Sequence, residues 1–448
     1  MHRDKLLVIG AGPVGLGMAK ALKAHGIAYD QVDANPGLGG NWRVGVYKTA
    51  HIVSSKRSTA YADYPMPSGY PHFPNAAQML AYLESYARDN GLTAHIETGR
   101  KVVAAKPLPD TSWSVTFEDG ETRNDKGVVV CNGHHWDRRW PELPGNFTGE
   151  LLHSKDYREP RQLAGKRILV IGGGNSGCDL ASEAARVGAS SDMSLRSGYW
   201  FLPKTVFGRP LTDLPIWGLP VFAQRLILRA LIRLTIGDYR SYGLPRPNHK
   251  LFERHPTFGT EILGYIQQGR IKPRPAIARC DGRTVHFVDG TSGEYDMIVA
   301  ATGFHNSFPF LPPGLVKVEN DAAQVYGGAF PALAKNLYIV GSNQPRNGFG
   351  SILTPAAELF ARLIRLQDEI EHPIGDVLEW IGEELPQTNF LDPGKARREI
   401  KIAHWTLPVL RWQARRYARH LERTRAKADT GKARAGPGEG EDLSLPQS

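Results

Sequence analysis

Two stretches of this chain repeat one pattern. "KLLVIGAGPVGLGMAKALKAHG" (5–26) and "KRILVIGGGNSGCDLASEAARVG" (166–188) each read as an apolar strand, a glycine-rich turn and a helix. A second strand follows each: "YDQVDANPG" ends its strand at Asp33, and "SDMSLRSG" passes through Arg196. Two βαβ units about 160 residues apart leave few folds open. The class they predict is α/β, with two dinucleotide-binding (Rossmann-like) doubly wound domains.

The chemistry of such a turn sets its residue types. Gly10 allows the tight bend, Gly12 lets backbone approach a pyrophosphate, and Gly15 lets helix and strand pack closely. Ala11 and Pro13 complete the loop, and phosphates would meet the free N–H groups at the helix start. Asp33 stands where a carboxylate accepts from a ribose hydroxyl. Gly172, Gly174 and Gly177 repeat the spacing, with Asn175 and Ser176 inside the turn. No acid stands at the matching strand end there. Arg196, followed by Ser197, suits a ribose 2′-phosphate, which an acid would repel. One site for an adenine dinucleotide with free ribose hydroxyls and one for NADP make FAD plus NADPH the economical cofactor pair.

Further signals divide the chain. Asn75 with Gln78 forms a helix-starting capping box, and the helix stops at Gly91. "GVVVCNG" (127–133) and "YDMIVAATG" (295–303) read as strands ending in glycine. Thr354-Pro355 predicts a helix start, with an N-cap hydroxyl and proline at the first helical position. That helix is expected to aim its positive end at the flavin, with Asn343 and Gln344 before it as candidates for the flavin edge. The expected layout is an FAD domain over 1–158 and an NADP domain over 159–303 with a helical insertion at about 200–260. The FAD domain resumes over 304–392, so the NADP domain is inserted into it. A basic helical tail over 393–448 ends in a Gly-, Pro- and acid-rich segment from 435 that reads as disordered.

Charge is unevenly placed. The net charge is +10, and residues 395–434 carry all of that excess, with 13 Lys/Arg against 3 Asp/Glu. The body sums to zero, which argues against nucleic-acid binding by the core. Cys131, Cys178 and Cys280 are far apart with no CxxC, so neither a disulfide framework nor a dithiol centre is expected. A cytoplasmic location follows as the expectation. A secretory leader is not expected, because strand-like "LLVIG" begins at Leu6. No apolar run approaches the roughly 18 residues that span a bilayer. The histidines are scattered, and the His134-His135 pair reads as packing at its turn, so no metal site is expected.

Between the two nucleotide units lies "FTGELLHSKDY" (147–157). With Phe147, Gly149, His153 and Tyr157 it fits the signature FxGxxxHxxxY at every fixed position. Around it stand "GAGPVG", "GGNW" (39–42), "VVVCNGHH" (128–135), "GGGNSG" (172–177), "RSGYW" (196–200) and "ATGF" (301–304). On these residues the chain resembles the flavin-containing monooxygenases, from about residue 5 to 365. The resemblance implies that Gly40, Asn41, Trp42, Ser54, Thr302 and Gly303 contact the cofactors. It also implies that NADPH reduces FAD, that oxygen adds to give a C4a-hydroperoxyflavin, and that a soft nitrogen or sulfur nucleophile takes the distal oxygen. No side chain is assigned a catalytic role. The expected partners are a small nucleophilic substrate and O2.

Related Baeyer–Villiger enzymes carry Trp at the place of Tyr157, and an aromatic-Pro-Gly where Tyr47 is here followed by Lys48 and Thr49. The alternatives are therefore an NADPH oxidase or flavin reductase releasing hydrogen peroxide, a Baeyer–Villiger ketone monooxygenase, and a membrane-attached NADP-sensing flavoprotein. One departure is marked. The family has "NSSK" where this chain has Val53, Ser54, Ser55 and Lys56, and valine cannot replace the hydrogen bonds of the family asparagine.

Two segments suggest a surface role. "FAQRLILRALIRLTI" (222–236) places Arg225, Arg229 and Arg233 on one helical face, and reads best as a core helix whose arginines reach solvent. The tail, with Trp405 and Trp412, is open between a solvated helix and peripheral contact with an anionic membrane.

Overall fold

The computed structural model describes residues 2–434, with the side chains of 4–426; the segment expected to be disordered from 435 lies outside the described residues. Six strands build most of the first sheet: β1 (His2–Ile9), β2 (Tyr29–Asp33), β3 (Ile96–Thr98), β4 (Val102–Pro107), β5 (Trp113–Phe117) and β6 (Thr122–Val130). Five build the second: β7 (Glu150–His153), β8 (Arg167–Ile171), β9 (Ser190–Ser194), β10 (Ile271–Arg274) and β11 (Met297–Ala300). The chain then returns through β12 (Leu337–Ile339) to the first sheet. The second unit is thus inserted into the first, as the sequence predicts.

The first sheet runs β3-β2-β1-β6-β5-β4, and β12 also pairs with β6. β6 serves two neighbours because it is long. Its start pairs antiparallel with β5, Trp113 opposite Asp125, and its end pairs parallel with β12, Val128 opposite Leu337. Gly127 sits between the two pairings, where a side chain would meet the Asn336 carbonyl. Leu6 to Val8 and Val128 to Val130 are buried without alternation, the mark of parallel strands covered on both faces.

The second sheet is wholly parallel, in the order β10-β9-β8-β11-β7. Its edge strand β7 comes from the "GELLH" of the interdomain segment, with Met297 opposite Glu150 and Ala300 opposite His153. The second unit therefore gathers residues from before position 158. Gly149 makes the preceding bend, where a side chain would strike the Asp296 carbonyl and the Phe147 ring.

The helices are α1 (Pro13–Ala24), α2 (Asn41–Val44), α3 (Lys56–Thr59), α4 (Ala76–Asp89), α5 (Asn175–Val187), α6 (Val221–Thr235), α7 (Glu261–Gln267), α8 (Gly350–Glu369), α9 (Ile374–Trp380) and α10 (Pro393–Arg434). The capping box of α4 forms as expected, with Gln78 N–H on Asn75 Oδ1 at 2.9 Å and Asn75 N–H on Gln78 Oε1 at 3.0 Å.

Two expectations need correction. α8 does not begin at Thr354-Pro355: it begins at Gly350, with Pro355 inside it. Gly350 lies against the Ala60 carbonyl so closely that a Cβ would come within 1.8 Å, so contact with the first unit's own loop carries the helix back one turn. Pro355 then removes only one internal bond. Thr354 does not cap; its hydroxyl accepts from the Ala62 N–H at 3.2 Å. α6 keeps the expected face only in part: Arg229 and Arg233 are exposed, but Arg225 is not. Arg225 points inward and donates to the Leu251 carbonyl at 2.8 Å, and Arg229 lies over the Trp200 ring at 5.8 Å. Phe222, Leu226 and Leu234 are exposed as well, because Gln224, Leu228 and Ile232 take the inner face.

Candidate functional site

The first glycine turn behaves as its residue types require. Gly10 has φ +108° and touches the Cys131 carbonyl; a Cβ there would come within 2.3 Å. A Cβ on Gly15 would come within 1.9 Å of the Gly10 carbonyl, so only glycine lets α1 start this close to β1. Gly12 faces Gly40, whose φ is +56°, and the two backbones form a narrow cradle without side chains. Asp33 ends β2, nearly buried. Its carboxylate accepts from the Ala11 N–H at 2.7 Å, from the Asn35 N–H at 2.8 Å and from Asn35 Nδ2 at 2.8 Å. These donors fix the carboxylate against the turn; Oδ1 takes two of them, and Oδ2 takes one and keeps a lone pair.

The second turn repeats this arrangement. Gly172 has φ +110°, and a Cβ on Gly177 would meet the Gly172 carbonyl at 2.0 Å. Nothing lies within 4 Å of the Cβ position of Gly174, so the turn is open where a phosphate is expected. Asn175 turns its side chain away from the open side and accepts from the Phe258 N–H at 2.8 Å. Arg196 is exposed just beyond β9 and forms no ion pair among the described residues; Ser197 beside it is half-buried.

Polar contacts tie the two turns together. Asn41, at the start of α2, donates to the His135 carbonyl at 3.1 Å and accepts from the Lys155 ammonium. Lys155 also donates to the His135 carbonyl at 3.0 Å. Tyr47 donates to Asp179 of α5 at 2.7 Å. Burial, with Asp179 and Glu183 nearby, pushes its phenol well above the ordinary range, so it stays a donor at neutral pH. Thr49 and Tyr157 both donate to Glu183 of the same helix. The loop after the first cradle is thus bonded to the helix that opens the second turn, and the signature segment supplies Lys155 and Tyr157 to that joint.

The signature's remaining polar residue is His153. It is buried at the end of β7, and its ring packs between Trp140 and Phe304 at 5.3 Å from each. Burial holds it below the ordinary histidine range. His134 and His135 pack edge to face with centroids 4.1 Å apart, as the "NGHH" turn suggests, and burial lowers both; His255 falls to about 4 for the same reason. These rings are neutral at pH 7. Among the described residues no cluster of His, Cys, Asp or Glu could hold a metal ion.

The other candidates are placed less evenly. Trp42 packs half-buried between the two cores. Ser54 is bonded to the Thr59 hydroxyl at 2.7 Å, and Val53 packs on the second unit's apolar cluster. Thr302 donates to the Arg139 carbonyl, and Gly303 has φ +87° with open space around it. Gln344 is half-buried, and its N–H donates to the Asn389 carbonyl at 2.7 Å, which does not join it to either turn. Sequence reasoning missed Lys155, Tyr47 and Glu183. The available signal was Glu183 itself, a carboxylate beside Leu180, Ala181 and Ala184 on the apolar face of α5.

The residues present fit a bound dinucleotide. Beside the first turn, His134 Nε2, Asn306 Oδ1 and Ser342 Oγ are buried with no partner among the described residues. They belong together: His134 Nδ1 lies 3.3 Å from the Gly341 carbonyl, and Asn306 Nδ2 donates to the Ser342 carbonyl at 3.2 Å. Gly341 in turn abuts Val14 of α1. Buried polar atoms left over beside a side-chain-free cradle are what a polar ligand satisfies.

Fold and site together define a two-dinucleotide flavoprotein, with one nucleotide unit inserted into the other. The flavin-binding monooxygenase-like family model matches residues 3–367, and the chain belongs to that family. It is 32% identical over 393 residues to flavin-containing monooxygenase 5 of Oryctolagus cuniculus, covering 81% of this chain and 73% of that protein. Among solved structures it resembles a flavin-containing monooxygenase from Stenotrophomonas maltophilia, with TM-score 0.64 and 23% identity over 82% of this chain and 99% of that one. An open cyclohexanone monooxygenase superposes with TM-score 0.70 at 19% identity, over 91% and 98% of the two chains. The protein is an FAD-dependent, NADPH-using oxidoreductase.

Proposed function

We propose that this protein is an NADPH- and O2-dependent monooxygenase acting on a soft nitrogen or sulfur nucleophile. The observation that carries the reading is the joint from Asn41 and Tyr47 to Lys155, Asp179 and Glu183, which bonds the segments around the two nucleotide turns to each other. A flavin bound there supplies the hydride acceptor and the oxygen chemistry. The chain's own residues bind, orient and exclude water. Gly10, Gly12 and Gly15 admit the flavin's pyrophosphate, and Asp33 is positioned for its ribose. Gly174 and Gly177 admit the second pyrophosphate, with Arg196 beyond it for the 2′-phosphate. The neutral rings of His134, His135 and His153 line the joint without adding charge. A Baeyer–Villiger reading has less support, because Tyr157 replaces that subgroup's Trp and cyclohexanone monooxygenase is similar in fold alone.

The test is anaerobic reduction by NADPH, then labelled oxygen with a panel of tertiary amines and thioethers. Label in an N-oxide or sulfoxide is expected. Release of all reducing equivalents as hydrogen peroxide with every nucleophile would overturn the reading.

Val53 favours a second reading, in which part of the NADPH consumption is uncoupled. It offers no hydrogen bond where the family places an asparagine, and Ser54 next to it is already bonded to Thr59. Loss of one polar contact in a dry site is worth about 2.7–4 kcal/mol. Val53→Asn is expected to lower the hydrogen peroxide released per NADPH. A variant that releases more peroxide than wild type would show that the pocket works by another route.

A further inference from the structure

α10 is apolar on two opposite faces. Ala396, Ala414, Leu407 and Leu410 face the body, against α8 and α9. Ile402, Trp405, Val409 and Trp412 face away, with exposures of 57%, 78%, 52% and 51%. Their spacing of three, four and three residues puts them in one stripe, about 15 Å long at the helical rise. Side chains this large are not usually left outside in such a row.

The charges around the stripe are of one sign. Arg398 and Lys401 precede it, and Arg416, Arg419 and Arg423 follow it at helical spacings on the same side. The acids of this stretch, Glu399 and Glu422, fall on other faces by the same periodicity. Arg416 is stacked over Trp412 at 4.7 Å and over Trp380 at 5.9 Å, which extends the patch to the end of α9. α6 also turns apolar residues outward, but with fewer cations, so the charge argument rests on α10.

We propose that the outer face of α10 lies on the surface of a bilayer containing anionic phospholipid. An apolar stripe with tryptophans, bordered by Arg and Lys, suits the boundary between acyl chains and headgroups. A second copy is a poor occupant, since it would bring the same cations face to face. None of the helices, among the described residues, is long and apolar enough to cross a membrane.

The experiment is co-sedimentation of the full, flavin-loaded chain with vesicles of phosphatidylcholine alone or with added phosphatidylglycerol. Binding is expected to favour the anionic vesicles at least tenfold and to weaken with salt. Arg398→Gln and Arg419→Gln should each cut anionic binding on the order of fivefold. Trp405→Ala with Trp412→Ala should cut it further while the flavin content and melting temperature hold, because neither ring packs inward. Equal partition into both vesicle types would overturn the proposal. So would an absence of vesicle binding accompanied by dimerisation that the double tryptophan variant abolishes.

Discussion

At the scale of single residues, two cations carry distinct predictions. Arg196 stands exposed beyond β9, beside the open turn of Gly174. Arg196→Ala is expected to weaken NADPH by about 1–2 kcal/mol, a charge-assisted bond discounted for exposure. NADH, which lacks the 2′-phosphate, should be nearly unaffected. Equal losses in titrations with both nucleotides would remove Arg196 from the site. Lys155 is the opposite case. Burial, with Arg158 and Arg138 nearby, lowers its ammonium to about 8, whereas an unfolded lysine titrates near about 10.4. Between those values the unfolded chain holds a proton that the folded chain has released. This group's contribution to stability therefore rises with pH across that window and is flat below it. The urea midpoint of wild type should gain on that of Lys155→Met from pH 8 to 10. A gap that does not change with pH would show that the ammonium is not held down.

At the scale of elements, the sequence was most legible where backbone sterics dictate residue type. Gly15 and Gly177 were readable because a Cβ at each would strike a carbonyl in its own βα unit, and Gly10 and Gly172 because the turn itself holds them at φ +108° and +110°. The capping box of α4 was readable because both of its bonds are local. What could not be read depends on contacts distant in sequence. The start of α8 moved from Thr354 to Gly350 because Gly350 meets Ala60, some 290 residues away. The outward face of α6 was misjudged because its inner face is chosen by a surface the periodicity does not name. Lys155 and Glu183 were missed because their partners Asn41 and Thr49 lie 114 and 134 residues away in sequence. The α8 contact makes its own prediction. Gly350→Ala forces a methyl onto the Ala60 carbonyl and should cost about 3 kcal/mol, the upper range for overpacking. Thermal melting checks it; a loss below about 0.5 kcal/mol, the scale of a neutral surface change, would mean that α8 shifts freely.

At the scale of the whole molecule, charge and packing divide α10 differently. The charge pattern sets the tail apart, since the body sums to zero without it. The packing joins its first part to the body. Ala396 and Ala414 are buried, Ile400, Ala403, Leu407 and Leu410 pack on the first unit's core, and Arg411 pairs with Glu369 at the end of α8. Tyr417 adds a ring contact to Trp380 at 5.7 Å. Beyond Leu421 the side chains through 426 are exposed. Truncation should therefore act in two stages. A chain ending after Leu421 should melt with the full chain and keep its flavin. A chain ending after Asp392 uncovers the outer side of α8 and loses several buried apolar side chains, each worth about 1.5–3 kcal/mol when fully buried. It should melt at least several degrees lower. The flavin cradle of Gly12 and Gly40 lies on elements that α10 does not build, so at low temperature flavin should still be retained. Full retention of melting temperature in the shorter chain would show that the inner face of α10 contributes nothing. Loss of flavin at low temperature from the longer one would place part of the cofactor site in the tail.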